Sequence, residues 1–193
     1  MVSFVTRAGV VSLLVSVVFL GGCAAYDASS DYRLADDAAD AFLEAVEKRD
    51  IALLLDDLST DAKNAPDLME GFDYACALMQ SPASSVHARE KSEEKTHHHG
   101  ISRLVYSTYD IEAGGQSYVL DIEFFPYDSI GRDKEGIYRV FLSSKSDYDE
   151  EVSQMARVRR EALTKGESPP DWQYGATYER PGIYHPGWKE EDA

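Results

Sequence analysis

The chain has 193 residues and carries 19 Lys and Arg against 35 Asp and Glu, which gives a net charge of −16. This balance argues against nucleic acid as a partner, because contact with a phosphate backbone requires clustered cations. An acidic surface also repels anionic lipid headgroups and favours solubility. The length suits one domain with a single core.

Residues 1–22 have the layout of a secretory leader. One basic residue, Arg7, precedes a mostly apolar run over residues 8–20. The segment that follows resembles the lipobox of bacterial lipoproteins, and it consists of Leu20, Gly21, Gly22 and Cys23. The resemblance implies cleavage before Cys23 and a diacylglyceryl thioether on its sulfur, an anchor that two acyl chains make stable. We therefore expect the protein on the outer face of the bacterial cytoplasmic membrane.

An uncleaved transmembrane anchor is the alternative for this leader. Residues 8–25 contain no charge, and this length lies at the lower edge of the roughly 17–25 residues that span a bilayer. Gly21, Gly22 and two serines weaken such a helix, so we favour cleavage. With Cys23 lipidated, the other cysteine, Cys76, has no disulfide partner, and we expect it to pack as a small apolar residue.

Three helices are predicted after a flexible tether over residues 23–30. Apolar residues recur at helical spacing between Leu34 and Val46, with Asp31 as the cap and basic residues at the end. A shorter helix is predicted over residues 50–58, ended by polar residues 59–61. A third follows Pro66 and stops near residue 81. The polar stretch 81–100 is predicted to be an edge strand or a loop.

The period changes to two after residue 101, which predicts strands. Strands over residues 104–111 and 117–125 would form a hairpin around Gly114 and Gly115, and residues 136–142 would form a central strand. Residues 147–166 are predicted to be a charged helical insertion that ends at Gly166. The aromatic segment 172–188 should pack back on the sheet, and residues 189–193 should be a free tail. The predicted class is therefore α+β, with N-terminal helices on a curved antiparallel sheet.

This order of elements over residues 31–188 resembles the NTF2-like, cystatin-like fold. The strand around residues 134–140 and the ending Pro181, Gly182, Ile183, Tyr184, His185 and Pro186 resemble a domain-of-unknown-function family of small Gram-positive lipoproteins. The resemblance implies a fold and a location, and it supplies no catalytic residue.

A ligand cavity is expected between the helices and the concave sheet of such a fold. Aromatic side chains are the candidates to line it, although large rings more often belong to a core. They are Tyr106, Tyr118, Phe124, Tyr138, Trp172, Tyr174 and Tyr184. His185 is the candidate acid or base beside this cavity. Asp121 and Glu123 share one face of a strand at a spacing that suits acid and base chemistry, but we expect both to point to solvent.

Metal binding has one candidate motif, the run of three histidines at residues 97–99. His97 and His99 would share a face of a strand, and imidazole is a common ligand of transition metals. A metal site needs three or four ligands with an orienting shell, so surface histidines are the favoured interpretation. No cofactor is implied.

Three functions remain open at this point. We favour a lipid-anchored extracytoplasmic module that binds a small ligand or an envelope protein. The alternative is an enzyme of hydrolase or isomerase type that uses an acid or base group in an aromatic pocket. The third is a metal-binding envelope protein. An inward-facing titratable group in the cavity would favour the enzyme, and a purely apolar cavity would count against it.

Overall fold

The computed structural model describes residues 28–97, 100–168 and 180–186. Within these residues, helices precede a five-stranded, mostly antiparallel sheet that is not closed, which confirms the α+β class. The elements in chain order are α1 Ala28–Lys48, α2 Thr60–Lys63, α3 Leu68–Leu78, β1 Ala83–Thr96, β2 Ser102–Ala113, β3 Gln116–Asp128, β4 Gly136–Ser144, α4 Lys145–Lys165 and β5 Gly182–Ile183.

The sheet has the strand order β1-β2-β3-β4-β5. The first four strands pair with their sequence neighbours in antiparallel fashion, and the short β5 runs parallel to β4. The β2–β3 turn contains Gly114 and Gly115 with φ values of 59° and 78°. Glycine adopts this left-handed region without steric cost, which is why the pair predicted the hairpin correctly.

The hydrophobic core lies between the sheet and the N-terminal helices. Phe42 and Val46 of α1 are buried in it together with Leu120 and Ile122 of β3. We call this side of the sheet the core face. Because side chains alternate along a strand, the neighbours of the core residues point to the opposite side, which we call the outer face. Helix α4 contacts β3 and β4.

The first and third predicted helices are confirmed, with one correction at the start of α1. Residues 28–30 belong to the helix, so the tether predicted over residues 23–30 is too long. Asp31 lies in the first turn of α1, where a carboxylate is favoured by the helix dipole. Its carboxylate also pairs with the Arg103 guanidinium at 2.9 Å, and this contact ties the helix start to β2.

The second predicted helix, over residues 50–58, is wrong. Asp50 does cap a short 3-10 helix at Ile51–Leu53, but no α-helix follows there. The backbone turns away because Asp57 and Ser59 both form hydrogen bonds with the main chain of Ile137 in β4. These tertiary bonds use groups that a helix would need. The Ser59 hydroxyl then accepts from the amide of residue 62, so Ser59 starts α2 and does not end a helix.

The other elements within the described residues agree with the sequence predictions, and of the segment 172–188 only residues 180–186 are described. The polar stretch after residue 81 contains the long edge strand β1. Helix α4 begins at residue 145, after the Ser144 cap, and it ends at Gly166 with φ 73°. The C-terminal segment packs back on the domain through Ile183, whose backbone approaches Gly71 of α3 so closely that no Cβ would fit there. The predicted tail over residues 189–193 lies outside the described residues.

The predicted leader and Cys23 also lie outside the described residues. No helix within the described ranges is long and apolar enough to cross a bilayer. Cys76 is buried in the core, as predicted, and its thiol donates to the Val46 carbonyl oxygen at 3.8 Å. Burial raises the pKa of this thiol, so Cys76 has the features of a structural residue.

Candidate functional site: an acidic cavity on the outer face of the sheet

A cavity of about 480 Å³ lies on the outer face of the sheet. Its floor comes from β2, β3 and β4, and its walls come from β1 and from α4. The floor residues are Tyr106, Thr108, Asp121, Glu123, Arg139 and Phe141, and the wall residues are Glu90, Ser92, Glu94 and Tyr148. The lining thus combines carboxylates, one guanidinium and three aromatic rings.

Strand alternation explains why these polar side chains share one face. Tyr109 pairs with Leu120 across β2 and β3 on the core face, and the next pair, Thr108 with Asp121, points to the outer face. Tyr148, in the first two turns of α4, reaches over this face. The strand therefore directs its carboxylates into a space that a helix partly encloses, and not into open solvent.

Two register shifts bring arginines to the same face. Between β3 and β4 the register moves by one residue at Tyr138, so that Arg139 stands opposite Glu123. Between β1 and β2 the extra residue is Arg89, which lies between the paired residues Ala88 and Glu90. Bulges of this kind re-aim side chains near functional sites. Here both shifts place a cation beside the carboxylates of the floor.

Asp121 is a cavity residue whose pKa is strongly raised. Its Oδ1 atom is buried and accepts no hydrogen bond from a described residue. Burial raises the pKa of Asp121 to about 6, although a hydrogen bond from Thr108 and the charges of Arg139 and Arg89 favour the ionised form. The carboxyl therefore changes protonation state close to neutral pH.

Glu123 is held by an ion pair with Arg139 at the bottom of the cavity. The two side chains are only 14% and 12% exposed, respectively. Burial raises the pKa of Glu123 more strongly than the Arg139 charge lowers it. The pair is thus largely removed from water, and each partner is needed to keep the other neutralised.

Two tyrosines complete the polar lining. The Tyr106 hydroxyl donates to Glu94 Oε2 at 3.4 Å, and burial raises the pKa of Tyr106 to about 12. The ring of Tyr148 lies 5.0 Å from the Arg89 guanidinium carbon, a cation–π distance. Arg89 also donates to Asp110 Oδ2 at 3.0 Å, and this hydrogen bond lowers the pKa of Asp110. Both tyrosines are hydrogen-bond donors at neutral pH.

The predicted aromatic residues separate between the two faces. Tyr106 lines the cavity. Tyr118 and Phe124 pack on the core face, where the Tyr118 hydroxyl donates to the Leu78 carbonyl oxygen at 3.2 Å. That side of the sheet is filled by the helices, which is why these rings form core and not a cavity wall.

Two other predicted rings are not among the lining residues of the cavity, and two more lie outside the described residues. Tyr138 packs edge-on against Phe125 with ring centroids 5.3 Å apart. Tyr184 packs on Phe141, a floor residue, at 4.4 Å. Trp172 and Tyr174 lie outside the described residues.

The expectation that Asp121 and Glu123 point to solvent is wrong. Both carboxylates line the cavity, because residues of β1 and α4 form walls on either side of the outer face. Arg139, Thr108 and Tyr148 were not singled out from the sequence. Two sequence features could have indicated the cavity. One is the polar face of β3, a strand with neighbours on both sides, and the other is an aromatic residue early in α4.

His185 lies in a separate cluster at the start of α3. Its Nε2 atom is 2.8 Å from Asp67 Oδ2 and 3.8 Å from Glu70 Oε2, and Arg180 pairs with the same Asp67 carboxylate. The His185 side chain is 12% exposed. These contacts fasten the C-terminal segment to α3, so the structure assigns His185 a place in this attachment and not in the cavity.

The histidine run is described only at its first member. His97 is exposed, and His99 lies outside the described residues. Among the residues that the structure describes, no group of three or more His, Cys, Asp or Glu side chains is arranged to hold a metal ion.

Comparison with known proteins places the chain in a family. No curated protein matches the sequence significantly. Residues 41–154 match the family described as "Domain of unknown function (DUF5104)". The matched range runs from α1 into α4 and contains each of the cavity residues named above. Because the match covers more than half of the 193 residues, the chain belongs to the DUF5104 family.

Proposed function

We propose that the protein is a lipid-anchored, extracytoplasmic binding module whose site is the outer-face cavity. One observation carries the binding function: Asp121 lines the cavity, and its buried Oδ1 atom accepts no hydrogen bond from a described residue. An unsatisfied buried acceptor destabilises a fold by roughly 1–3 kcal/mol. A bound ligand that donates to this oxygen would remove that cost.

The anchor is supported by the leader and by its distance from the fold. Cys23 precedes the first described residue, Ala28, by five positions. A fully extended chain of this length reaches about 18 Å. A thioether lipid at Cys23 would thus hold the domain close to the membrane on the outer side of the cell.

Metabolic labelling with a fatty acid tests the anchor. Wild-type protein should incorporate the label, and Cys23→Ser should remain unlabelled and uncleaved. Cys76→Ala is the matched control, because it removes the other cysteine of the chain and should retain the label. Label in Cys23→Ser, or none in the wild type, would overturn the anchor.

Native mass spectrometry of the protein purified from its host membrane tests the binding function. The expected result is a retained small molecule that is lost in Asp121→Asn and kept in Asp56→Asn. Asp56 is exposed in the loop before α2, so its replacement changes the charge equally without touching the cavity. A molecule retained equally by both variants would place its binding elsewhere.

An enzyme is the second candidate, and the same carboxyl favours it. A pKa of about 6 at Asp121 suits a group that exchanges a proton near neutral pH. Arg139 and the hydroxyls of Thr108 and Tyr148 lie around the same space. Consumption of a retained ligand by the wild type but not by Asp121→Asn would establish catalysis, whereas unchanged release of the ligand would support binding alone.

We also propose the finer fold assignment, NTF2-like or cystatin-like. Its support is the order of long N-terminal helix, further helices and antiparallel strands, with α1 lying across the sheet. An experimental structure of the whole chain tests it, since members of that class should superpose on α1 and β1–β4 together.

A further inference from the structure

We propose that the outer-face cavity selects a small organic cation, with a primary ammonium group directed at Asp121. This inference rests on the proposed binding function and specifies its ligand. It is carried by the charge of the lining, by the unsatisfied carboxylate oxygen and by the position of the aromatic rings.

The lining has more negative than positive charge. Arg139 neutralises Glu123 through their ion pair. In the described part of the chain, no Lys, Arg or His nitrogen lies within ion-pair distance of Glu90, Glu94 or Asp121. Three carboxylates therefore face one cavity without an ion pair to a described cation, although the charges of Arg139 and Arg89 act on Asp121. An anionic ligand would be repelled there, and a cationic ligand would be attracted.

Nearby cations are already engaged by other groups. Arg89 forms its ion pair with Asp110, which is not part of the lining. Lys95 lies 3.3 Å from Glu93. Lys91 pairs with Asp36 on α1, across the core face. Among the described residues, these cations thus form their ion pairs with groups other than Glu90, Glu94 and Asp121.

The hydrogen-bonding state of Asp121 points to a ligand that donates N–H groups. Asp121 Oδ1 is buried and has no hydrogen-bond donor among the described residues, while the Thr108 side chain forms a hydrogen bond with the same carboxyl. An ammonium group carries three donors and a full charge, and hydrogen bonds between charged groups are about twice as strong as neutral ones. A primary ammonium therefore satisfies both the charge and the missing hydrogen bond.

The aromatic rings favour an organic cation over a hydrated metal ion. Tyr106, Phe141 and Tyr148 border the same space as Asp121. Such rings attract ammonium groups and pack against the carbon skeleton that carries them. A volume of about 480 Å³ fits the range of small-molecule sites.

A series of equal-sized probes tests the selectivity: benzylammonium, benzyl alcohol and benzoate, which differ in charge. Every described contact lies within residues 28–186, so the chain beginning at residue 24 retains them and can be titrated without lipid. Binding is measured by calorimetry, and the site is located by NMR shifts of cavity residues. We expect benzylammonium to bind at least about tenfold more tightly than either other probe.

Two variants test whether the charge of Asp121 is needed for benzylammonium binding. Asp121→Asn should weaken benzylammonium binding by about tenfold or more, and Asp56→Asn should leave it unchanged. Equal or tighter binding of benzyl alcohol or benzoate in the cavity would overturn the cation inference while the binding function stands. No binding of benzylammonium would also overturn it. The binding function itself would fail in a different experiment: native mass spectrometry would then show a retained molecule that neither Asp121→Asn nor Asp56→Asn affects.

Discussion

Asp121→Asn should stabilise the domain at neutral pH, although it alters a cavity residue. Asparagine has nearly the same shape as aspartate and carries no charge. In the wild type, the buried carboxyl must ionise in a poorly solvated position above its pKa of about 6. Replacing it removes this cost, so the variant should have a larger free energy of unfolding than the wild type.

The magnitude follows from the shift in pKa between the unfolded and folded states. The value rises from 3.8 to about 6 on folding. Each unit corresponds to roughly 1.36 kcal/mol, so ionised Asp121 destabilises the fold by up to about 3 kcal/mol. Because the folded state binds the proton more tightly, this loss is absent below about pH 4. It develops between about pH 4 and pH 6 and is nearly complete by about pH 7.

Urea denaturation of the chain that begins at residue 24, between pH 4 and pH 8, measures this effect. The difference between Asp121→Asn and wild type should be small at pH 4 and should grow to about 3 kcal/mol at pH 8. Asp56→Asn should show no such trend, because Asp56 is exposed. A difference that is independent of pH, or a variant less stable than wild type at pH 8, would refute the assignment of Asp121 as a desolvated carboxyl.

Three further predictions concern the fold. Gly71→Ala should destabilise the domain by about 1–3 kcal/mol or more in urea denaturation, because the new Cβ would lie 1.9 Å from the Ile183 carbonyl oxygen; unchanged stability would show that this contact is not present in solution. Arg139→Met should cost about 3–5 kcal/mol at pH 7 and less as the pH falls, because burial raises the pKa of Glu123 and favours its neutral form, and adding Glu123→Gln should recover most of the loss; no recovery would mean that the ion pair is not the cause. Phe42→Ala should cost about 3–5 kcal/mol, because this ring is fully buried in the core, and a loss below 1 kcal/mol would contradict that packing.

Local sequence patterns were sufficient for most of the elements. Period-3.6 spacing predicted α1 and α3, period-2 alternation predicted β3, and the Gly114-Gly115 pair predicted the turn before it. These signals are local, because they depend on which side chains share a face and on which residues tolerate a left-handed backbone. The helix over residues 50–58 failed because its backbone bonds to Ile137, about 80 positions away, and no local pattern reports such a contact.

The sequence by itself determined the acidic charge, the α+β order and the alternation that puts Asp121 and Glu123 on one face. Only the tertiary structure decided that this face is partly enclosed. The register shifts at Arg89 and Tyr138 and the passage of α4 over β3 and β4 turn a polar strand face into a cavity. The physical reason is that alternation distinguishes two faces of a strand, whereas burial depends on which distant elements cover each face.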